Sequence, residues 1–212
     1  MSKLFISIIV ILFTILNTSK VNAQTKNTFK DDRDGKTYKT IEIGNQTWMA
    51  ENLAYKPSIG SYWALDNEQS NVAKYGYLYD WKTSKKVCPV GFHLPSDDEW
   101  KQLATHISKV ENIVQERDYT FEIVGKLLKS KSGWKNECNG TDKFGFSALP
   151  SNIRLRNGAF GSDGDINSWW SSTSKNNRRA WYWYFGNSDD DFCRMNLIFT
   201  KKAGFSVRCI AD

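Results

Sequence analysis

Two aromatic-rich runs near the C-terminus carry the side chains best suited to binding a ligand. One is Trp169-Trp170-Ser171-Ser172-Thr173, and in the other, Ala180 to Phe185, two tryptophans and a phenylalanine alternate with two tyrosines. Flat aromatic faces stack on the C–H surfaces of sugars, but large aromatic side chains also dominate protein cores. Adjacent strand residues face opposite ways, so at least one tryptophan of the first run is expected in the core. The candidate binding residues are Trp169, Trp170, Tyr182, Trp183 and Tyr184.

Asp163-Gly164-Asp165-Ile166-Asn167 spaces oxygen-bearing side chains as some calcium loops do. The segment lacks the downstream glutamate of an EF-hand. We interpret it first as a turn, because Asp and Gly tolerate the backbone angles that turns require. Asp163, Asp165 and Asn167 are kept as the candidate calcium ligands, and no other cofactor is expected.

The sequence offers little that predicts catalysis. It contains no nucleophile elbow, phosphate-binding loop or zinc-binding helix motif. His93 precedes a predicted helix, and we expect it to make a structural hydrogen bond. A hydrolase would require two carboxylates that only folding brings together.

The N-terminus has the pattern of a secretory signal peptide. Lys3 precedes a nearly unbroken apolar run from Leu4 to Leu16, and Val21-Asn22-Ala23 fits a signal-peptidase site. The run is shorter than the roughly 20 residues of a membrane span, which favours cleavage before Gln24 over an anchor. We therefore predict a signal peptide over 1–23, a polar lead-in over 24–28 and one domain over 29–212. No transmembrane segment is expected after cleavage.

The chain has four cysteines, Cys88, Cys138, Cys193 and Cys209, all beyond the predicted cleavage site. An even number in an exported protein favours two disulfides, and four cysteines allow three pairings. The absence of a C-x-x-C spacing disfavours a zinc site.

The formal net charge is +6, and the basic residues are scattered. Short clusters occur at Lys82/Lys85/Lys86, Lys126/Lys129/Lys131, Arg178/Arg179 and Lys201/Lys202. None is a run of five or more, so we interpret them as solvated faces and expect no nucleic-acid partner.

Local patterns predict the elements that would position these residues. Asp34-Gly35 and Gly44-Asn45 are turn signals around alternating strands at 36–43 and 46–50. Ser96 and Glu99 form a capping box before an apolar stripe, which predicts a helix over about 96–110. A second short helix is expected within 121–128, and strands at 169–173, 180–185, 195–200 and 205–210. One good helix among strands and long loops indicates an α+β fold.

Ordered segments along the whole predicted domain resemble one family, the Fibrobacter succinogenes major paralogous domain. The matching segments are Asp34 to Thr40, Ile43 to Leu53, Tyr75 to Trp81, Cys88 to Ser96, Glu99-Trp100, Gly133-Trp134, Gly140 to Pro150, Trp169 to Thr173 and Gly204 to Cys209. Ser151-Asn152 departs from the family pattern, which usually has two glycines there.

The family is similar in outline to C-type-lectin-like domains, which implies short antiparallel sheets, one well-defined helix and long loops. In that fold the cysteine near the helix start pairs with the cysteine of the last strand. The resemblance therefore implies a Cys88–Cys209 disulfide and leaves Cys138 to pair with Cys193. The Glu-Pro-Asn and Trp-Asn-Asp triplets of calcium-dependent lectins are absent.

These observations favour an exported, non-catalytic binding or adhesion module that contacts a glycan or a cell-surface protein. The expected location is the periplasm, the outer surface or the medium of a bacterium. The alternatives are a structural or assembly component of the bacterial envelope and, more distantly, a carboxylate-dependent hydrolase.

Overall fold

The turn at Asp34-Gly35 and the alternating residues after it build an antiparallel meander. The structure is a computed structural model that describes residues 26–115, 117–135, 137–161, 166–185 and 190–212. Strands β1 (Lys26–Lys30), β2 (Thr37–Ile43) and β3 (Gln46–Met49) pair in order. The predicted hairpin is confirmed. Residues 26–28, predicted as lead-in, belong instead to β1, because their backbone pairs with that of β2.

The remaining strands and helices are mostly short. They are β4 (Tyr62–Ala64), α1 (Val72–Tyr75), β5 (Tyr77–Tyr79), α2 (Trp81–Ser84), β6 (Phe92–His93), α3 (Asp97–Val110), β7 (Thr120–Phe121), α4 (Val124–Leu128), β8 (Asn167–Ser174), β9 (Ala180–Phe185), β10 (Phe192–Met195), β11 (Phe205–Ser206) and β12 (Ile210–Ala211).

The one long helix, α3, is the predicted one. The Ser96 hydroxyl accepts a hydrogen bond from the Glu99 backbone N–H, and the Glu99 carboxylate accepts one from the Ser96 N–H. This capping box satisfies two backbone donors that the helix cannot satisfy internally. In the predicted stripe, Trp100, Leu103 and Ile107 have no exposed surface, whereas Val110, its last member, is 53% exposed at the end of the helix.

The strands form two sheets. Sheet 1 has the order β1-β2-β3-β12-β6, and sheet 2 has the order β4-β5-β11-β8-β9-β10-β7. The pairings are antiparallel except that of β8 with β11, where Ser206 lies parallel to Trp169. The fold is thus α+β with mainly antiparallel sheets, as predicted, and with one parallel pairing that was not.

The C-terminal segment passes from sheet 2 to sheet 1 within a few residues. Between β11 and β12, the carbonyls of Val207 and Cys209 accept hydrogen bonds from the backbone N–H groups of Leu53 (2.8 Å) and Met49 (3.0 Å). The predicted Cys88–Cys209 disulfide is present, with an S–S distance of 2.08 Å, and ties this crossing to the loop before β6.

Sheet 2 separates two buried cores. The helix-side core contains Trp100 of α3 with Trp169, Trp183 and other buried residues. The second core contains Trp170, Tyr182 and Phe205 with loop residues. Neighbouring residues on β8 and β9 therefore serve opposite cores, as the alternation along a strand requires.

One buried side-chain amide connects the segment after β3 to sheet 2, to the C-terminal crossing segment, to the end of α1 and to the loop at Ser151. Asn52 follows β3, and its Oδ1 accepts hydrogen bonds from Trp169 Nε1 (3.0 Å) and Arg208 Nη2 (3.0 Å). Its Nδ2 lies 3.0 Å from the Tyr75 carbonyl and 3.3 Å from the hydroxyls of Ser151 and Ser206.

Arg208 is the fully buried cation at this junction, with 1% of its surface exposed. Its Nη1 also donates to the Phe146 carbonyl, and its guanidinium carbon lies 4.2 Å from the centroid of the Phe146 ring. Burial lowers the pKa of Arg208 to about 9, against the opposing influence of Asp142 and Glu51, so the group stays charged at neutral pH.

One predicted strand falls at a different place. The strand predicted at 195–200 lies instead at Phe192–Met195, because Phe192 packs on Trp183 and Phe185 in the helix-side core. Leu197 and Ile198 are 64% and 67% exposed. The short helix predicted within 121–128 is confirmed as α4.

The predicted Cys138–Cys193 disulfide is not formed, and the structure holds these two residues as separate half-buried thiols. Cys193 follows Phe192, whose side chain enters the helix-side core, so Cys193 points to the other face of sheet 2. Cys138 packs against the helix-side core. The sheet therefore separates the two sulfur atoms.

Some predictions fall outside the described residues. These are the signal peptide over 1–23 and the calcium candidates Asp163 and Asp165. In the part of the chain that the structure describes, no helix has both the length and the apolarity needed to cross a bilayer.

Replacing Asn52 with alanine is expected to destabilise the domain strongly. The Trp169 and Arg208 donors would lose their acceptor in a site without water access, at a cost of about 3 kcal/mol or more. Chemical unfolding followed by circular dichroism measures this change.

Two companion variants keep that experiment interpretable if Asn52→Ala does not fold. Ser206→Ala removes one acceptor of the Asn52 amide and should cost about 1 kcal/mol. Asn27→Ala, on the exposed face of β1, should change stability by less than about 0.5 kcal/mol. Similar stabilities for Ser206→Ala and Asn27→Ala would contradict the role given to Asn52.

Alkylation of the unfolded, non-reduced protein is expected to modify Cys138 and Cys193 and to leave Cys88 and Cys209 protected. Mass spectrometry counts the labels, and protection of all four cysteines would contradict the structure.

Reduction of the disulfide should lower the free energy of unfolding by about 2–5 kcal/mol, because the disulfide closes a long loop.

Candidate functional site

The structure buries four of the five predicted binding residues. Trp169, Trp170 and Trp183 have no exposed surface, and Tyr182 has 1% exposed. A ring without exposed surface cannot stack on a ligand, so the binding platform predicted at these four positions is wrong. Only Tyr184 is half-buried, beside Tyr182, with 6.3 Å between their ring centroids.

The indole N–H groups confirm that these tryptophans are built into the core. Trp169 donates to Asn52 Oδ1, Trp170 to the Tyr79 carbonyl (2.8 Å) and Trp183 to Asp97 Oδ1 (3.0 Å). Each buried N–H is thus satisfied within the protein, as buried polar groups require.

A neighbouring residue of β9, Trp181, does expose part of its ring. Of the nine tryptophans of the chain, seven are buried, while Trp63 and Trp181 are half-buried. The Trp181 ring lies near that of Tyr119, which is 52% exposed, with centroids 6.5 Å apart and planes 27° apart. We call Tyr119 and Trp181 the aromatic pair.

Arg194 of β10 holds the aromatic pair in place. Its guanidinium carbon lies 3.5 Å from the Trp181 ring centroid and 4.8 Å from that of Tyr119. Its backbone N–H donates to the Tyr119 carbonyl at 2.9 Å, which fixes the loop that carries the tyrosine. Cation–π contacts of this kind gain strength when the cation is shielded from water.

Asp97, the first residue of α3, neutralises Arg194. The Arg194 Nε donates to Asp97 Oδ1 at 2.8 Å, Nη2 pairs with Oδ2, and the two side chains are 16% and 9% exposed. Oδ1 also accepts the indole hydrogen bond of Trp183, and the Asp97 N–H donates to the Thr173 hydroxyl at 3.0 Å. The start of α3 is therefore fixed to β8, β9 and β10 beneath the aromatic pair.

Lys175 adds a positive charge at the margin of this surface. Its ammonium lies 5.3 Å from the centroid of the Trp181 ring, and its side chain is exposed. Alternation places Trp181 and Trp183 on the same face of the strand, and the sequence gave no sign that Trp181 would be half-buried while Trp183 is fully buried. The decisive feature is tertiary, because Asp97 at the start of α3 accepts the hydrogen bond of the Trp183 indole, whereas Trp181 is contacted by Arg194 and keeps part of its surface exposed.

Of the three calcium candidates, the structure describes only Asn167. It is fully buried, its Nδ2 donates to the Leu149 carbonyl at 2.6 Å, and its Oδ1 accepts no hydrogen bond. The described residues contain no cluster of three or more His, Cys, Asp or Glu side chains that could hold a metal ion. Calcium binding stays a prediction.

His93 lies between two carboxylates, which confirms the structural hydrogen bond predicted for it. Its Nδ1 lies 2.7 Å from Asp212 Oδ1, and its Nε2 lies 2.8 Å from Glu99 Oε1. Burial disfavours the imidazolium, but the hydrogen bonds to both carboxylates outweigh it and raise the pKa of His93. Burial likewise opposes ionisation of Glu99, but hydrogen bonds from Ser96 and His93 lower the pKa of Glu99.

Comparison with known proteins identifies the family. Residues 41–211 match the family model described as the Fibrobacter succinogenes major domain, and the chain belongs to that family. Searches of curated proteins and of solved structures found no match. The predicted family is confirmed, and the match itself names no ligand.

The departure from the family pattern at Ser151-Asn152 is accommodated locally. Asn152 has a φ of 59°, in the left-handed region that asparagine tolerates better than most residues. Its Oδ1 accepts from the Ile153 N–H (2.8 Å), and its Nδ2 donates to the Gly161 carbonyl (2.9 Å).

The His93 cluster predicts a specific pH dependence of stability. The contribution of His93 to the free energy of unfolding is complete below its ordinary pKa of 6.5. It is lost as the pH rises through the raised folded-state pKa. The contribution of Glu99 is complete above its ordinary pKa of 4.5 and is lost as the pH falls through the lowered folded-state pKa. Urea unfolding between pH 4 and 9 should therefore show a decline above about pH 6.5.

His93→Gln should remove this alkaline decline, by about 1 kcal/mol or less because the site is partly exposed. His106→Gln, at the other histidine of the chain, is the matched control and should keep the wild-type profile. A His93→Gln profile that parallels the wild type would show that His93 is not responsible.

Proposed function

We propose that this protein is an exported, non-catalytic binding module whose aromatic pair contacts a glycan. The observation that carries the proposal is the arrangement of Tyr119 and Trp181, two partly exposed and nearly parallel rings fixed by Arg194. Binding to a fixed surface avoids the entropy cost of ordering the side chains at the moment of contact.

The chemistry of the aromatic pair suits a sugar. Aromatic rings offer an apolar face to C–H groups, and the tyrosine hydroxyl and the indole N–H supply polar contacts at the ring edges. Lys175, beside Trp181, can donate to sugar hydroxyls or to an acidic substituent.

Export is supported by the signal-peptide pattern over 1–23 and by the Cys88–Cys209 disulfide. Disulfides persist in oxidising compartments and are rare in the cytosol. We accordingly propose the periplasm, the outer surface or the medium as the location.

A C-type-lectin-like fold is the architecture we propose for the family. Its support is the disulfide, which joins Cys88, shortly before α3, to Cys209, beside the last strand, as that fold would require. Mainly antiparallel short sheets around one principal helix agree with the same proposal.

The non-catalytic assignment is supported by the state of the carboxylates around His93. Asp212 and Glu99 each hydrogen-bond the imidazole, and the second oxygen of Glu99 caps α3. A catalytic acid or base needs a lone pair or proton directed at the substrate.

Binding of the purified protein to a panel of immobilised glycans tests the proposal. Trp181→Ala and Tyr119→Ala should each weaken binding about tenfold or more, as loss of an aromatic anchor typically does. A panel with no binding, together with one stoichiometric partner co-purifying from envelope extracts, would favour the envelope component instead.

Trp63→Ala is the matched control for that experiment. Trp63 is also half-buried and lies over an arginine, Arg154, at 4.2 Å, but it belongs to β4 at the opposite edge of sheet 2. Its replacement should leave glycan affinity unchanged, and circular dichroism should verify that each variant is folded.

A parallel series with a calcium chelator tests the calcium prediction, since loss of binding would point to Asp163, Asp165 and Asn167.

A further inference from the structure

Three basic segments that are far apart in the sequence meet at the turn between β8 and β9. The Lys201 N–H donates to the Arg178 carbonyl at 3.0 Å, and the Lys201 carbonyl accepts from the Trp81 N–H at 3.1 Å. Lys85 follows α2, within one turn of Trp81. The turn thus lies beside the loop after α2 and the loop before β11.

Neutral groups hold the two lysines at this junction. The ammonium groups of Lys85 and Lys201 lie 4.3 Å and 3.9 Å from the centroid of the same ring, that of Trp81. Lys201 Nζ also donates to the Ser174 hydroxyl at 2.7 Å and to the Asn176 carbonyl at 2.8 Å. Two cations therefore share one aromatic ring, and neither is neutralised by it.

We call the basic residues of this junction the hairpin-end basic surface, and they are the exposed Lys85, Lys175, Arg178 and Arg179 with the half-buried Lys201. Within the described ranges, none of the five forms an ion pair with a carboxylate. Cations elsewhere do form such pairs, for example Arg33 with Asp31 and Lys143 with Glu111. Burial, and then the charge of Lys85, lower the pKa of Lys201, as expected for like charges placed close together.

The turn also provides neutral hydrogen-bonding groups. Asn176, Asn177, Arg178 and Arg179 line a shallow hollow of about 490 Å³. Amides beside guanidinium groups can bind hydroxyl and acidic groups at the same time. A sugar polymer with acidic substituents presents that combination of groups.

We propose that the hairpin-end basic surface binds an acidic polysaccharide, with Arg178 and Arg179 contacting its carboxylate or sulfate groups. The inference deepens the function proposed above and depends on it, since it names the class of glycan. Lys175 connects the two surfaces, because it lies in the same turn and beside Trp181. One polymer could therefore contact both.

The test measures the affinity of the purified protein for polygalacturonate, for neutral dextran and for anionic phospholipid vesicles, each at low and at physiological salt. We expect polygalacturonate to bind more tightly than dextran and to weaken with salt, since exposed charges are screened. The double variant Arg178→Gln/Arg179→Gln should weaken polygalacturonate binding about tenfold and reduce its salt dependence. The side chains of both arginines are exposed, so the fold should be unaffected.

Lys101→Gln/Lys109→Gln, on the exposed face of α3, removes the same charge elsewhere and is the matched control. Its affinity for polygalacturonate should stay within about twofold of the wild-type value if the location of the positive charges matters more than the net charge of the protein. Equal weakening by both double variants would overturn the proposal, as would equal affinity for dextran and polygalacturonate, or binding to the vesicles alone.

Failure of this inference can be distinguished from failure of the proposed function. If dextran or another neutral glycan binds and Trp181→Ala abolishes the binding, the aromatic pair is correct and the acidic ligand is wrong. If polygalacturonate binding depends on Arg178 and Arg179 but not on Trp181, the basic surface is correct and the aromatic pair is not the glycan site.

Discussion

The side chain of Asn52, which follows β3 of sheet 1, bonds to sheet 2 and to the C-terminal segment at the point where that segment crosses between the sheets. Its oxygen accepts from Arg208 and Trp169, and its nitrogen is within hydrogen-bonding distance of the Ser206 and Ser151 hydroxyls and of the Tyr75 carbonyl at the end of α1. Arg208 is only 1% exposed, and within the described residues it donates hydrogen bonds to the neutral oxygens of Asn52 and Phe146. A buried cation of this kind is tolerated only when its acceptors are fixed in place. The order of the elements around Asn52 is therefore strongly constrained.

The constraint on the order of the elements also explains why the large aromatic residues are buried in two cores. Strand β8 lies in the middle of sheet 2 and has a core on each of its faces. Large aromatic rings fill both cores. Trp169 and Trp170 thus face different cores, although they are adjacent. An aromatic surplus in the composition consequently indicated a large core here more than a large binding surface.

The sequence predicted the features that depend on local chemistry. The capping box at Ser96 and Glu99, the turns around β2 and the stripe of α3 depend on neighbouring residues, and they are confirmed except for Val110 at the end of the stripe, which is exposed. The features that depend on distant contacts were missed. Leu197 and Ile198 resemble strand residues, yet the strand begins three residues before the predicted start because Phe192 has a place in the core.

The same distinction applies to the candidate surfaces. No local pattern separates Trp181 from Trp183, which lie on the same face of β9, and the difference arises because α3 starts at Asp97. That carboxylate accepts the indole hydrogen bond of Trp183 and is thus held under the sheet, where it needs a cation. Arg194, directly across from Trp183 on β10, supplies the charge and stacks on Trp181. The residue that begins the principal helix therefore also fixes the exposed aromatic pair, so the geometry of this surface follows from the packing of the core.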